Sequence, residues 1–597
     1  MRKMKIKEIF IIYLSISIGA LTGCNVQEKT SQDITVQVTE EKTIVKDGDG
    51  IGANKALISQ EPDAEKNIIL NQLGYLPNDI KKVVFRGEKV GKKFSVISIN
   101  TNEIVYTGEV GNKIYSPAAD ETNYIGDFSE VTKEGVYKII TDTSGESYQF
   151  KIGQGIYKEA FEDALRFFYL QRCGQDIPKE YGDTWAHQAC HTEMATIYGS
   201  DKKIDVSGGW HDAGDYGRYV VATSKAVADL LLAYETNKEA FDDNLNIPES
   251  GNGIPDVLDE VRYQLVWLLK MQNQENGGVY HKVTGANFPG YIMPQLEISD
   301  LIVCPISTTA TGDFAAVMAM GHEAYKEIDS ELADECLKAA QKAWVYLEQA
   351  PNSNFKNPTG ILTGEYGDSD DLDERLWGAV ELFKVTNDEK YHDKIKGIVK
   401  DINRLDCRYG WQGVAEYAID TYINLPNADD GVLQVLKENL KMTGDFFLSA
   451  AKQDGYNVYN KQDIYYWGSN MNVLSLALLY AHASEIFDEQ EYIEYANEQI
   501  NYCFGKNPMD MSYVTGYGTV YPKFPHHRPS VAKEKTIPGM IVGGPNTGRE
   551  DNIAKQDLGA APATKCYIDN RESYSTNEVD IYWNSTLIYA LAKLGRV

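Results

Sequence analysis

The residues best equipped for chemistry lie in two short stretches. The first is Gly208-Gly209-Trp210-His211-Asp212-Ala213-Gly214-Asp215-Tyr216-Gly217-Arg218-Tyr219, which places two carboxylates and an imidazole in a glycine-punctuated loop ahead of a long apolar run. Glycine admits backbone conformations that a side chain forbids, so Asp212 and Asp215 can converge on one small volume. Asp is equally at home as a helix cap, and two Asp three residues apart also suit an ordinary helix start. The second stretch is Tyr567-Ile568-Asp569, with Arg571 and Tyr574, then Asn577-Glu578-Val579 and Trp583-Asn584-Ser585 at the head of a last apolar helix. If the fold brings Glu578 to Asp215, two carboxylates flank one bond, the arrangement that acid and base cleavage of a glycoside needs.

A third segment carries Asn507-Pro508, Ser512-Tyr513-Val514-Thr515-Gly516-Tyr517-Gly518 and Pro525-His526-His527-Arg528. Arg528 can donate paired hydrogen bonds to hydroxyls or hold a carboxylate, and His526 can bond a hydroxyl. Alone, His-His-Arg would as readily suggest a metal site or a solvated basic loop. Together the three segments resemble the motifs of glycoside hydrolase family 9, the inverting cellulase family. The resemblance implies that Asp215 is the general base, that Asp212 helps to hold the water, and that Glu578 protonates the leaving oxygen. It also implies that His526 and Arg528 face the sugar, with Asp569 orienting one of them. Glu578 must then stay protonated near neutral pH, which requires burial or nearby carboxylates to raise its pKa. Water is the nucleophile, so no cofactor enters the chemistry. Gly277-Gly278-Val279-Tyr280-His281-Lys282 and Tyr465-Tyr466-Trp467-Gly468-Ser469-Asn470 are also family-like. There His281, and further on Trp583, are either substrate contacts or packed core residues. Val520 and Asp580 depart from the residues usual in the family and are expected to flank the site.

Cys173, Cys190, His191 and His211 supply the ligand types that tetrahedral zinc prefers. Their spacing is not that of a zinc finger, so the residues alone leave a disulfide or an inert buried pair open. The family resemblance implies a structural zinc at these positions, clamping the loop of Asp212 and Asp215. Cys304, Cys336, Cys407, Cys503 and Cys566 read as buried thiols. The run Thr363-Gly364-Glu365-Tyr366-Gly367-Asp368-Ser369-Asp370-Asp371-Leu372-Asp373-Glu374 is dense in oxygen ligands but is not an EF-hand. It reads either as a helix cap or, by the resemblance, as a calcium loop with Asp368 and Asp371 as ligands.

The rest of the chain must position these groups. Arg2, Lys3, Lys5 and Lys7, a short apolar run and Leu21-Thr22-Gly23-Cys24 have the form of a lipoprotein signal, with residues 1–23 removed and Cys24 lipidated. Residues 24–65 are polar, include Asp47-Gly48-Asp49-Gly50, and read as a flexible tether. Residues 66–152 hold short β-type runs separated by Gly, Asn, Asp and Pro, the pattern of a small antiparallel sandwich. Here Asn71-Gln72-Leu73-Gly74-Tyr75-Leu76-Pro77 and Gly126-Asp127-Phe128-Ser129 resemble the immunoglobulin-like module of family 9 enzymes. Residues 157–597 are dominated by helical periods and exceed the roughly 250–300 residues of one core. The resemblance implies an (α/α)6 barrel, so the fold class is mostly α with an all-β module in front.

Acidic residues outnumber basic ones 87 to 58, a formal charge of −29, which excludes a phosphate-binding surface and with it nucleic acid as partner. The 39 Tyr and 8 Trp suit sugar stacking. The expected protein is a monomeric, lipid-anchored, extracytoplasmic hydrolase of β-1,4-glucan or its oligosaccharides, its membrane contact confined to the anchor. An exo-acting β-glycosidase, either a cellodextrinase or a glucosaminidase, and a non-catalytic carbohydrate-binding lipoprotein are the alternatives.

Overall fold

The structure is a computed structural model that describes residues 66–401, 405, 408–459 and 461–597. Cys24, the tether and Cys407 lie outside the described residues. No helix among the described residues is long and apolar enough to cross a membrane.

The first 87 described residues form a β-sandwich of nine strands. These are β1 (Ile68–Ile69), β2 (Gly74–Tyr75), β3 (Lys82–Arg86), β4 (Lys93–Ser98), β5 (Ile104–Ser116), β6 (Glu121–Asp127), β7 (Gly135–Thr141), β8 (Gly145–Glu146) and β9 (Phe150–Ile152). Strand order is β1-β3-β6-β5-β4-β7-β9-β2, with β8 paired to β7. The long β5 pairs with β4 through its first half and with β6 through its second, so one strand serves both layers. Between the layers lie Tyr75, Phe85, Phe94, Phe128 and Phe150. Tyr75 and Phe128 meet edge to face at 5.3 Å, the geometry that aromatic quadrupoles favour.

Among the described residues, twelve helices of nine residues or more follow. They are α1 (Lys158–Leu170), α2 (Val220–Thr236), α3 (Asp256–Lys270), α4 (Thr308–Tyr325), α5 (Ser330–Gln349), α6 (Leu372–Thr386), α7 (Glu389–Asp401), α8 (Ala415–Ile423), α9 (Asp430–Ala451), α10 (Ser469–Phe487), α11 (Gln490–Cys503) and α12 (Ile581–Lys593). Two sequence types separate them. α2, α4, α6, α8, α10 and α12 are apolar around most of their girth and buried along nearly their whole length, as an inner ring requires. The helices between them are amphipathic. α5, for example, buries Leu332, Ala333, Cys336, Ala339, Ala340, Ala343, Trp344 and Leu347, one stripe at helical spacing. Inner helices pack on one another in chain order, and α10–α12 and α12–α2 contacts carry the ring back to its start. His482 of α10 bonds Glu416 of α8 at 2.5 Å, tying the remaining junction. The fold is therefore the (α/α)6 barrel with a β-sandwich ahead of it. The barrel axis is not wholly apolar. A buried Lys225–Asp229 pair at 2.6 Å is satisfied by Tyr417, Ser585 and Thr586, so α2, α8 and α12 share one polar knot.

The sandwich meets the barrel through buried polar groups. Asn71 donates to Tyr157 (2.7 Å) and Asn501 (2.9 Å), and Arg86 donates to the Pro508 carbonyl at 2.6 Å. Gln72 accepts from the amides of Thr519 and Val520, both at 2.9 Å, and donates to the Asp510 carbonyl at 2.8 Å. Val520 is therefore held by the sandwich instead of flanking the cleft, which corrects its expected place. A side chain that satisfies three backbone groups at once is costly to remove, because each buried orphan costs about 1–3 kcal/mol. Gln72→Ala should lower unfolding free energy by about 2–4 kcal/mol in denaturant titration. It should also reduce kcat/KM, since the chain it holds runs on to His526 and Arg528.

Candidate active site

The loop ahead of α2 is fixed by its own backbone and by two distant segments. Asp212 N–H donates to the Gly217 carbonyl (3.0 Å) and closes the loop on itself. The Asp212 carbonyl accepts from Ile581 N (2.8 Å) at the first turn of α12, and the Gly214 carbonyl accepts from Arg528 N (3.2 Å) and Arg528 Nη1 (2.6 Å). Gly214 is glycine for a reason of space, since a Cβ there would lie 2.2 Å from the His526 carbonyl oxygen. His526 in turn forms a parallel β-bridge with Glu578. Asp212, Asp215, His526, Arg528, Glu578 and Asp580 are thus gathered around one cavity of about 1170 Å³ at one end of the barrel. This is the convergence that the two acidic stretches required.

Each acid has a distinct setting. Asp215 Oδ2 accepts from Gly217 N–H (3.0 Å) and the Tyr219 hydroxyl (3.1 Å). Asp212 Oδ2 accepts from Tyr366 (2.7 Å), while its Oδ1 has no protein partner. Burial first, and then the Asp215 charge, raise the Asp212 carboxyl well above the usual range. The same two causes push Glu578 up to about 8, against the opposing pull of Arg528. Burial and the Arg528 charge hold the His526 imidazole down to about 4, so the ring is neutral. Its Nδ1 donates to the Arg571 carbonyl at 2.6 Å, which can only accept, and this assigns Nε2 as the acceptor nitrogen. The cavity walls are aromatic. Trp467 and Tyr574 have ring centroids 5.3 Å apart, Trp411 meets Tyr366 edge to face at 5.0 Å, and the Phe288 ring lies under the Arg528 guanidinium. Trp583 lines the cavity as well, although it is 2% exposed and wedged against Gly468 and Gly543.

Two expected site residues fall elsewhere. His281 does not reach the cavity. It is fully buried, stacked on Phe355 at 3.7 Å, with Nε2 donating to the Glu365 carbonyl (3.1 Å) and Nδ1 accepting from Ser307 (2.8 Å). It is a satisfied core histidine that anchors the segment before Tyr366. Asp569 contacts neither Arg528 nor His526. Its carboxylate accepts from Lys523 N (2.8 Å), Phe524 N (2.9 Å) and Asn577 Nδ2 (3.1 Å), so it braces the backbone beside both His526 and Glu578. Two groups that the sequence reading passed over matter more. Tyr366 reaches Asp212, and Lys282, fully buried, bonds the Thr363 hydroxyl, Asn357 and the Gly364 carbonyl, securing the loop that carries Tyr366. A lysine directly after a family-like histidine was the available signal.

Cys173, Cys190, His191 and His211 come together under the acid loop, all buried, their ligand atoms within 4.8 Å of one another. Cys173 Sγ lies 3.9 Å from Cys190 Sγ and 3.6 Å from His191 Nδ1, and Cys190 Sγ lies 3.6 Å from His211 Nε2. A tetrahedral zinc with bonds of about 2.0–2.3 Å sets its ligand atoms roughly 3.3–3.8 Å apart; the contacts above lie within this range or about 0.1 Å beyond it, so the four fit the ion. The cysteines are free thiols, not a disulfide. Glu297 accepts from His191 Nε2 at 3.2 Å, where an outer carboxylate would orient the imidazole toward a metal. Of the two calcium candidates, Asp371 is paired with Arg375 through both oxygens at 2.9 Å, an i,i+4 pair within the start of α6, and offers no free ligand edge. Asp368 is buried with Oδ2 unpartnered, beside Asp373 and Asp313; the latter has neither oxygen bonded. Cys304, Cys336, Cys503 and Cys566 are buried free thiols as expected.

Comparison with known proteins agrees with this geometry. The description Glycosyl hydrolase family 9 matches residues 157–591, and Cellulase N-terminal ig-like domain matches residues 63–146. The chain is 36% identical over 548 residues to a cellodextrinase of Butyrivibrio fibrisolvens, covering 88% of this chain and 99% of that one. It superposes on a thermostable endoglucanase of Alicyclobacillus acidocaldarius with a TM-score of 0.83 at 36% identity, covering 89% and 99% of the two chains. A Zn-binding triple mutant of the family 9 endoglucanase J30 gives a TM-score of 0.83 at 32% identity, covering 87% and 99%. With both modules matched over nearly all of the described residues, the chain belongs to glycosyl hydrolase family 9 and is a glycoside hydrolase of cellulase type.

Proposed function

We propose that the protein cleaves β-1,4-glucosidic linkages of cellulose, mixed-linkage β-glucan or cellooligosaccharides by single displacement. Asp215 takes the proton of the attacking water, Asp212 holds that water, and Glu578 protonates the departing oxygen. The observation that carries this reading is the pairing of unlike acids in one cavity. Glu578 is buried and pushed up to about 8, while Asp215 accepts from two donors, Gly217 N–H and the Tyr219 hydroxyl. Arg528 and neutral His526 line the same cavity as sugar-hydroxyl partners. The aromatic walls suit pyranose faces. The name of the Butyrivibrio relative supports short chains as substrates alongside polymer.

Zinc held by Cys173, Cys190, His191 and His211 would supply structure and no chemistry. His211 precedes Asp212 in the chain, so the ion fixes the start of the acid loop. Calcium beside Asp368, Asp313 and Asp373 would take up Asp368 Oδ2 and both oxygens of Asp313, which are buried without hydrogen-bond partners. Lipidation of Cys24 would anchor the enzyme outside the cytoplasm; the support is the Leu21-Thr22-Gly23-Cys24 sequence behind a basic and apolar run. Labelling with a radioactive fatty acid, lost in Cys24→Ala, tests the anchor.

The acid must be protonated to act, so activity is held below the Glu578 pKa and lost as pH rises through it. kcat/KM should fall above about pH 8. Glu578→Gln and Asp215→Asn should each lower kcat by about 10²- to 10⁴-fold on unactivated cellooligosaccharides with melting temperatures near that of the wild type. Near-normal turnover in either variant removes the assignment.

Single displacement inverts configuration, so a β-linked substrate should first release the α-anomer at its new reducing end, visible by NMR before mutarotation. Early β-anomer would exclude Asp215 as a base acting through water.

Purified protein should hold about one zinc per chain at this site, and chelation should lower the melting temperature and kcat together. Cys190→Ser should do the same. Zinc-free protein of unchanged stability would refute the site.

A further inference from the structure

Tyr366 has one hydroxyl hydrogen and two carboxyl groups beside it. Its oxygen lies 2.7 Å from Asp212 Oδ2 and 3.0 Å from Asp580 Oδ2. A phenol donates once. With both acids ionised, one contact would set a bare carboxylate oxygen against the tyrosine lone pairs, with Asp212 1% and Asp580 3% exposed. Both contacts become hydrogen bonds only when one acid carries a proton and donates it to the Tyr366 oxygen.

The two acids differ in what they have left to give. Asp580 Oδ1 accepts from Tyr582 N–H (3.1 Å) as the cap of α12, so its Oδ2 is the atom available to carry hydrogen. Asp212 is read above as the holder of the attacking water, a role that needs acceptor oxygens, and its Oδ1 has no protein partner. The two residues are also joined through the backbone, since the Asp212 carbonyl accepts from the amide of Ile581, next to Asp580. We propose that Asp580 is a positioning residue for the hydrolysis: its protonated Oδ2 donates to Tyr366, Tyr366 donates to Asp212, and the Asp212 carboxylate is thereby fixed toward the nucleophilic water. This rests on the roles given above to Asp212 and Asp215.

The surroundings of Asp580 are consistent with a neutral acid. It faces Asp212 from the loop before α2, Tyr366 from the loop before α6, and Glu578 and Tyr582 from its own segment. Lys225 of α2 is also near, but its charge is matched by Asp229 at 2.6 Å. Burial and the Asp212 charge raise the Asp580 carboxyl well above the usual range. A proton on Asp580 spares a cavity that already holds three acids a further negative charge.

Kinetics on cellopentaose with Asp580→Ser, Asp580→Asn and Tyr366→Phe test the bridge. Serine keeps the helix cap but is too short to reach Tyr366. It should lower kcat on the order of 10- to 100-fold with KM within about two-fold, because only the orientation of the water is lost. Asparagine caps with its oxygen and donates with its amide, so it should recover most of that loss. Tyr366→Phe should match the serine variant, and the double variant Tyr366→Phe with Asp580→Ser should be no slower than Tyr366→Phe alone. Wild-type kcat in Asp580→Ser, an asparagine variant as slow as serine, or losses that multiply would each overturn the proposal. Asp215→Asn separates the two readings. If it abolishes turnover while Asp580→Ser is normal, only the bridge fails; if Asp215→Asn is active, the catalytic assignment itself fails. Should the serine variant not fold, the asparagine and Tyr366→Phe variants still decide, since the bridge requires the first to be active and the second slow.

Discussion

The constraint on which the structure turns is the junction at Gly214. Arg528, 314 residues further along, bonds the Gly214 carbonyl through its side chain, and the His526 carbonyl fills the space a Cβ would occupy. Through this contact the acid loop, the His-x-Arg segment and the Glu578 segment become one body. The barrel brings them near by making α2 and α12 neighbours in its inner ring, and the backbone bond from Ile581 to Asp212 completes the register. Any displacement of α12 against α2 would separate Glu578 from Asp215. The polar knot of Lys225, Asp229, Ser585 and Thr586 between those two helices is placed to resist it.

Gathering acids costs solvation, and the site offsets that cost in two ways. Some carboxyl groups receive donors, as Asp215 does from Gly217 and Tyr219. Others keep a proton because burial and a charged neighbour make ionisation unfavourable, as at Glu578. The cations nearby do not neutralise the acids directly. Arg528 spends its hydrogen bonds on the carbonyls of Gly214 and Pro289, and Lys282 spends its own on the Tyr366 loop. They shape the field while leaving the acids free to exchange protons with water and sugar.

What the sequence made legible follows from this division. Asp212, Asp215, Glu578, His526 and Arg528 were singled out because their motifs resemble those of family 9; their side chains alone left a helix cap, a metal site or a basic loop open. Helices were legible by their periods, whereas their sorting into an inner and an outer ring was only what the resemblance implied. His281, left open between substrate contact and core, and Asp569, expected to orient Arg528 or His526, share a reason: only packing reveals that one is stacked on Phe355 and the other spent on backbone amides. Tyr366 and Glu297 stayed hidden because nothing in their own surroundings in the chain points to Asp212 or His191, which are partners only in space.

The two departures from the family's usual residues separate in the same way. Val520 is engaged through its backbone, with its amide on Gln72 and its carbonyl on Ser512, so its side chain is a matter of packing under the sandwich. Asp580 brings a new ionisable group to the cavity wall, within reach of a hydroxyl that already serves Asp212. A carboxyl introduced there cannot be silent. Ionised, it would repel Asp212 across 3 Å of shared hydroxyl; protonated, it becomes a donor that a shorter neutral residue does not provide. The hydrogen-bond count around Tyr366 requires one proton between the two acids, and the proposed place for it, on Asp580, ties the cap of the last helix to the orientation of the water-holding acid.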